Sequence, residues 1–224
     1  MPIKNPVSEL VLLEGGGGIK MSNGQVVVSG SGELGESVGG LKQWVVMKPD
    51  VAVNSIVAAE DISAGGTIVC TLARTMLDTP RNLLYTLTDD ASTTLTGIFV
   101  VVGTDQFGAT VTETTGTVTQ ATAVAGTQVF ATITSVTATL TNAAASDTAD
   151  VGVAIAADVA SFGIPDALGA VTDVKSVNWI DAGTTKTQNV DATSVVLARN
   201  CFRPEQTVAA ADDYIILYES TATA

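Results

Sequence analysis

The sequence predicts an all-β fold, an antiparallel β-sandwich of the jelly-roll or Ig-like kind, with an extended glycine-rich arm at the N-terminus. Three observations lead to this class. About ten to twelve runs rich in Val, Thr and Ile recur at intervals of roughly 8–15 residues. Short clusters of Gly, Asp and Asn separate these runs, as turns between strands require. No stretch longer than one turn has the 3.6-residue apolar period of a helix.

Residues 1–40 differ from the rest of the chain. Two early prolines and the glycine run Gly15–Gly18 oppose regular structure, and Ser29–Gly40 is rich in Gly, Ser and Glu. Only Gln25–Val28 has the β-branched content of a short strand. Because glycine loses more entropy on ordering than any other residue, we expect residues 1–40 to form an extended arm. Residues 41–224 then form the β-sandwich domain with a short C-terminal tail.

The first half of the predicted sandwich consists of seven strand candidates. The turn at Gly103–Gly108 is well specified, because Asp105 suits its entry and Gly108 can adopt positive φ. Met76–Pro80 is interpreted as a crossing segment, in which Pro80 holds Thr79 extended. The strand candidates are Gln43–Met47, Val51–Ala58, Thr67–Ala73, Asn82–Thr88, Gly97–Val102, Ala109–Thr115 and Gly126–Leu140.

The last of these candidates is long, and the same pattern continues beyond it. Strict alternation places Val129, Ala131 and Ile133 on one face of the long strand and Phe130 and Val136 on the other. Further strands are predicted at Ala149–Ala156, Ala170–Ile180, Lys186–Val190, Ser194–Arg199 and Asp213–Glu219.

The core that these strands can form is expected to consist of small side chains. The apolar fraction of 46% depends heavily on Ala and Val, and aromatic residues make up 4%. Burying a valine contributes at most about 1.5–3 kcal/mol, whereas ordering each backbone residue costs about 1–2 kcal/mol. We therefore expect the domain to gain stability from copies of itself, as a dimer or trimer.

The chain is strongly acidic, with 10 Lys and Arg, 23 Asp and Glu, no His and a formal charge of −13. Such a surface repels phosphate backbones and anionic lipid, so neither nucleic acid nor a membrane is an expected partner. The acidity either serves solubility or complements a basic partner. Ser8, Glu9 and Glu14 interrupt any signal-peptide apolar region, so we expect synthesis in a cytoplasm.

The sequence contains no pattern that indicates catalysis or a cofactor. Without histidine there is no imidazole base and no Ser–His triad. The two cysteines, Cys70 and Cys201, cannot supply a four-cysteine zinc site and are interpreted as buried free thiols. We expect a protein that is not an enzyme and that has no catalytic residue, no metal ligand and no cofactor.

Acidic residues are the one source of alternative chemistry. Asp89, Asp90, Asp105 and Glu113 fall in or beside predicted turns, where carboxylates bond to the local backbone. A paired-carboxylate hydrolase is one alternative. A calcium site formed by the three aspartates at one end of the sandwich is the other.

Four arginines near strand ends are candidate partner contacts, because arginine is enriched among interface anchors. They are Arg74, Arg81, Arg199 and Arg203. Ion pairing with a nearby Asp is the alternative for each. Trp44 and Trp179 are interpreted as core residues rather than contacts.

Between about residue 65 and residue 218 several strand and turn phrases follow one another, and together they resemble one family. The phrases are Asp78–Asn82, Gly103–Gly108, Thr112–Thr114, Gly126–Thr137, Phe162–Pro165 and Asp213–Tyr214. This succession resembles the small β-rich head decoration or cement proteins of tailed bacteriophages. The resemblance implies a non-enzymatic virion structural protein on the capsid exterior, which clamps the major capsid protein and stabilises the head.

The N-terminal arm lies outside that resemblance, and we expect it to reach neighbouring subunits. An apolar peg would include Val11, Leu12 and Leu13, and a strand added to a neighbour would include Val26, Val27 and Val28. A phage tail, neck or fibre component is the first alternative. A bacterial surface adhesin or S-layer module is the second, and a lectin or carbohydrate-active enzyme, disfavoured by the few aromatic residues, is the third.

Overall fold

The computed structural model describes residues 10–13, 17–22, 25–30, 41–90, 94–120, 122–181 and 183–219, with side chains from Leu41 onward. Throughout these ranges the paired strands are antiparallel. Helical structure in the described ranges consists of two 3-10 turns, Val171–Asp173 and Leu197–Arg199. The predicted class, an all-β fold of antiparallel sheets with the character of a sandwich, is confirmed.

Three strands lie in the predicted arm. They are β1 (Leu10–Leu13), β2 (Gly17–Ser22) and β3 (Gln25–Gly30). They pair in the order β1-β2-β3, with Leu10 opposite Lys20 and Gln25 opposite Ser22. The predicted strand Gln25–Val28 is therefore present as β3, and the structure adds two strands that the sequence pattern did not indicate.

The remaining strands follow from residue 41 to residue 219. The first eleven are β4 (Leu41–Met47), β5 (Val57–Asp61), β6 (Gly66–Val69), β7 (Met76–Arg81), β8 (Leu83–Thr88), β9 (Thr96–Thr104), β10 (Thr110–Thr114), β11 (Val118–Thr119), β12 (Val124–Ala125), β13 (Phe130–Thr141) and β14 (Thr148–Val153). The last six are β15 (Phe162–Gly163), β16 (Val174–Asp181), β17 (Thr184–Gln188), β18 (Val195–Val196), β19 (Cys201–Phe202) and β20 (Asp213–Glu219).

These strands form three sheets. The largest has nine strands in the order β10-β9-β13-β7-β15-β19-β18, with β11 paired to β9 and β6 paired to β13. The second has the order β12-β8-β14-β5, and the third β17-β16-β20-β4. In the third sheet Leu41 lies opposite Glu219, so the first strand after the arm pairs with the last strand of the described chain.

The long strand β13 corrects the predicted alternation. Its register shifts between Ile133 and Ser135, so the side chains before and after this irregularity change faces. A second shift lies between Phe130 and Thr132 in the pairing with β7. Because of the two shifts Phe130, Ile133 and Val136 are all buried, although strict alternation had placed Ile133 opposite the other two. A bulge is a local backbone event that side-chain alternation cannot reveal.

Three other segments differ from expectation. Val51–Ala58 is not one strand, because the Asp50 side chain accepts the Ala52 N–H (2.9 Å) and a turn follows before β5. Met76–Pro80 lies in β7, where the register with β13 shifts and the missing N–H of proline is tolerated. Ser194–Arg199 is a two-residue strand followed by a 3-10 turn.

The buried apolar residues fall into two clusters. The first combines β9 and β13 with β8 and β14, and includes Tyr85 against Phe99 at 5.3 Å between ring centroids. The second combines β16 and β20 with β15 and β19, and includes Phe162 against Tyr214 at 5.3 Å. Ile155 packs against both clusters.

The aromatic residues are concentrated in these two clusters. All three tyrosines and every phenylalanine except Phe107 are buried. Trp44 and Trp179 pack half-buried against the second cluster, as the sequence predicted. The core is therefore less dependent on small side chains than the composition suggested, because the few large rings are placed where they bury most area.

Arg81 lies at the junction of the two clusters. Its side chain is fully buried, its guanidinium donates to the carbonyls of Asp50 and Ala154, and its Cζ lies 4.7 Å from the centre of the Phe162 ring. Burial lowers the pKa of this guanidinium to about 10, although the negative charges of Asp78 and Asp50 act to raise it. Arg81 cannot be a partner contact in this fold, so that prediction is wrong for this residue.

Asn82 completes the junction. Its amide nitrogen donates to the carbonyls of Gly126 (2.9 Å) and Val159 (3.0 Å), and its amide oxygen accepts the Ser161 N–H (2.8 Å). Its own backbone N–H and C=O bond to Ser161 and Ala154. Asn82 thus connects three separate chain segments, and each of its polar atoms has a hydrogen-bond partner.

Asn82→Ala is expected to lower the free energy of unfolding by about 2 kcal/mol or more, because it leaves the buried Gly126 carbonyl and the buried Ser161 N–H without a partner, at about 1–3 kcal/mol each. Urea unfolding followed by fluorescence measures the loss. The matched control is Asn178→Ala, which removes a half-exposed amide that accepts one bond from Thr187. Equal stability of the two variants would contradict the role of Asn82.

Candidate interaction sites

The four predicted arginines separate into different environments. Arg74 forms an ion pair with Asp50 (2.8 Å), so the local-pairing alternative is confirmed for this residue. The backbone of the same Asp50 accepts the bond from buried Arg81. Arg199 and Arg203 are half-buried, and neither forms an ion pair within the described part of the chain. They remain candidate contacts.

The six predicted arm residues lie in strands of the three-stranded sheet. Val11, Leu12 and Leu13 are in β1, and Val26, Val27 and Val28 are in β3. The structure describes the backbone of these residues, and their side chains lie outside the described part. Their role as partner contacts stays a prediction.

A cleft of about 310 Å³ lies between the β9–β10 turn and the 3-10 turn Leu197–Arg199. Phe107, half exposed, and Leu197 give it an apolar rim, and Arg199 adds a cation. Gln106 donates to the carbonyls of Arg199 and Asn200, both at 3.2 Å. These bonds hold the β9–β10 turn against the 3-10 turn, and the cleft lies between the two. Asp105 is the single carboxylate that lines it.

The three aspartates of the calcium alternative do not converge. Asp89 and Asp90 follow β8 and precede the start of β9, whereas Asp105 follows the end of β9. A nine-residue strand spans about 30 Å. Asp105 instead accepts the N–H groups of Phe107 and Ala109, both at 2.9 Å, as a turn aspartate does. Among the described residues no cluster of three His, Cys, Asp or Glu side chains is arranged to bind a metal ion.

Glu113 is placed differently from the turn position that the sequence suggested. It lies inside β10, is 5% exposed, and accepts bonds from the Tyr85 hydroxyl (2.9 Å) and the Gln128 N–H (3.1 Å). Thr127 adds bonds from its N–H and its hydroxyl. A Cβ on Gly126 would lie 2.3 Å from the carboxylate, so a larger residue here would displace Glu113 from these bonds. Glu113 is a structural carboxylate that anchors the segment before β13.

Both cysteines are buried and free, as predicted. Burial, with the nearby charge of Glu60, raises the pKa of the Cys70 thiol to about 11. Burial also raises the pKa of Cys201. The thiolate is the reactive form, so neither side chain is placed to act as a nucleophile.

One surface of the nine-stranded sheet carries no charged side chain at its outward strand positions. Four adjacent strands, β10-β9-β13-β6, turn one set of side chains into the first core and the alternate set outward. We call the outward set the threonine face. It consists of Thr67 and Val69 on β6, Thr96, Ile98, Val100, Val102 and Thr104 on β9, Thr110, Thr112 and Thr114 on β10, and Thr132, Ser135, Thr137, Thr139 and Thr141 on β13.

No residue of the threonine face is charged, and two apolar members are well exposed: Val69 at 71% and Ile98 at 41%. The outward positions of the other two sheets do include charged residues. These include Asp213 and Glu219 on β20, with Ile215 and Leu217 at the outward positions between them, and Asp150 on β14. Sequence reasoning recognised the alternation in Thr110–Thr114 but not its alignment with β13 and β6, because that alignment depends on strand order.

Comparison with protein-family models, with curated proteins and with solved structures found no match to this chain. In the described part of the chain no helix has the length and apolarity needed to cross a membrane.

The native chain is expected to have no thiol that reacts rapidly with Ellman's reagent near pH 8. Both thiols are buried, and the Cys70 thiol, with a pKa of about 11, is ionised in roughly one molecule in a thousand at that pH. After denaturation in urea both thiols should react. Absorbance at the thionitrobenzoate band gives the count. Rapid labelling of the folded chain would contradict the burial of Cys70 and Cys201.

Proposed function

We propose that this chain is a non-enzymatic structural protein of a virus particle. It acts as a head cement or decoration protein of a tailed bacteriophage, on the capsid exterior, and clamps neighbouring subunits of the major capsid protein. The threonine face is the observation that carries this proposal: a broad, exposed and uncharged sheet surface suits assembly rather than chemistry.

The placement of the polar side chains supports an assembly role. Glu113, Asn82 and Arg81, which are buried, all bond to the chain's own backbone or hydroxyl groups, and so hold the fold. The cleft beside Arg199 has one carboxylate, and that carboxylate is engaged in its own turn. These arrangements favour a binding protein over a hydrolase with two free carboxylates.

The acidic surface supplies the complementary part of the proposal. A formal charge of −13 attracts a basic partner at long range and repels nucleic acid. A shell protein that presents basic residues outward is such a partner. The arm would add contacts to a neighbouring subunit through strand addition.

An antibody against this chain is expected to label the heads of purified phage particles. Immunogold electron microscopy of intact particles makes the measurement, with particles from a strain lacking the gene as the control. Label on the tail or neck would favour the tail-component alternative. Absence of the chain from purified particles would contradict a virion role.

Deletion of residues 1–40 is expected to leave a folded chain that no longer decorates heads. The deletion keeps β4, which pairs with β20, so the main sheets remain complete. Co-sedimentation with undecorated heads measures binding, and circular dichroism checks the fold. Full-affinity decoration by the shortened chain would show that the arm is not the clamp.

A further inference from the structure

The threonine face carries no charged residue at its outward positions, and this property is the starting point for asking what packs against it. We propose that this face is the contact between two copies of the chain, packed sheet against sheet about a two-fold axis. The proposal deepens the assembly role described above and rests on it, because it names which surface makes the protein's contact with itself.

Charge favours a second copy over any other partner here. Each copy carries −13, so two copies repel wherever acidic surfaces meet. The outward faces of β20 and β14 hold Asp213, Glu219 and Asp150, and would place like charges together. The threonine face has no charge to repel. A basic partner would be drawn to the acidic faces instead, which leaves the uncharged one to an identical uncharged face.

The chemistry of the face is complementary to itself. A threonine hydroxyl both donates and accepts a hydrogen bond, so two such faces can satisfy one another in a two-fold contact. The hydroxyls already align across strands, with Thr104 and Thr132 at 2.7 Å and Thr67 and Thr139 at 3.3 Å. Val69 and Ile98 supply exposed apolar area at the same surface.

The area suits a weak contact. β9 and the part of β13 that pairs with it are about 30 Å long, whereas β6 and β10, with four and five residues, are about 15 Å long, so strands about 4.8 Å apart cover on the order of 450 Å² per copy. Two copies then bury about 900 Å², which is below the roughly 1,200 Å² of stable specific interfaces and within the range of weak, transient ones. The contact is therefore expected to be reversible in solution and to strengthen when the copies are also held by a common shell.

The test is sedimentation velocity of the full-length chain at about 1–100 µM. The unaltered chain is expected to form dimers of twice its 22.7 kDa mass. Thr139→Asp places a carboxylate on a central strand of both copies and is expected to weaken dimerisation by about tenfold or more. Thr185→Asp is the matched control, because Thr185 is an exposed strand threonine of β17, outside the threonine face. It should leave the dimer unchanged.

A second variant tests the same contact independently, in case Thr139→Asp does not fold. Ile98→Lys introduces the opposite charge on β9, directly across from Thr139, and should weaken the dimer as Thr139→Asp does. Urea unfolding shows which variants are folded. A monomeric unaltered chain, or a dimer that survives both folded variants, overturns the inference. Either result can occur while immunogold still finds the chain on phage heads, so failure of this contact is separable from failure of the virion role.

Discussion

Burial of the neighbouring pair Arg81 and Asn82 is the constraint on which the rest of the structure depends. Arg81 bonds to the Asp50 and Ala154 carbonyls and lies over Phe162, a ring of the second cluster. Asn82 bonds to backbone near both clusters. Removing a cation from water is costly unless its bonds are satisfied, so the segments that supply those carbonyls must stay in place. The bonds of this pair thereby connect the two core clusters.

Other buried amide side chains farther along the chain also bond to backbone groups, as Asn82 does. Asn200, in the left-handed region at φ 50°, donates to the carbonyls of Ile164 and Asp166 and accepts the Leu168 N–H. Gln188 donates to the Arg203 carbonyl and accepts the Glu205 N–H. Long connections between short strands contain many backbone groups with no strand partner. Buried amides satisfy them, and this is why the interior polar residues are committed to structure.

The features of the fold that depend on local chemistry were predictable from the sequence, whereas those that depend on long-range contacts were not. The Asp105 turn with Gly108 at φ 80° followed from residue preferences, as did the all-β class and the free thiols. The shift in β13 exchanges faces without any change in residue type. Arg81 had the appearance of a surface contact, because its burial depends on carbonyls that only the folded chain brings together. The pairing that aligns β6, β9 and β13 was hidden for the same reason.

The distribution of charge over the three sheets links fold and assembly. Two acidic copies repel wherever like charges meet, and strand alternation collects the outward positions of β6, β9, β10 and β13 into one face without charge. On β9 and β13 the inward residues fill the first core, so the outward residues were free to become Thr, Val and Ile. Solubility alone would favour charges at these exposed positions. Their absence from four adjacent strands is the feature on which the proposed self-contact rests.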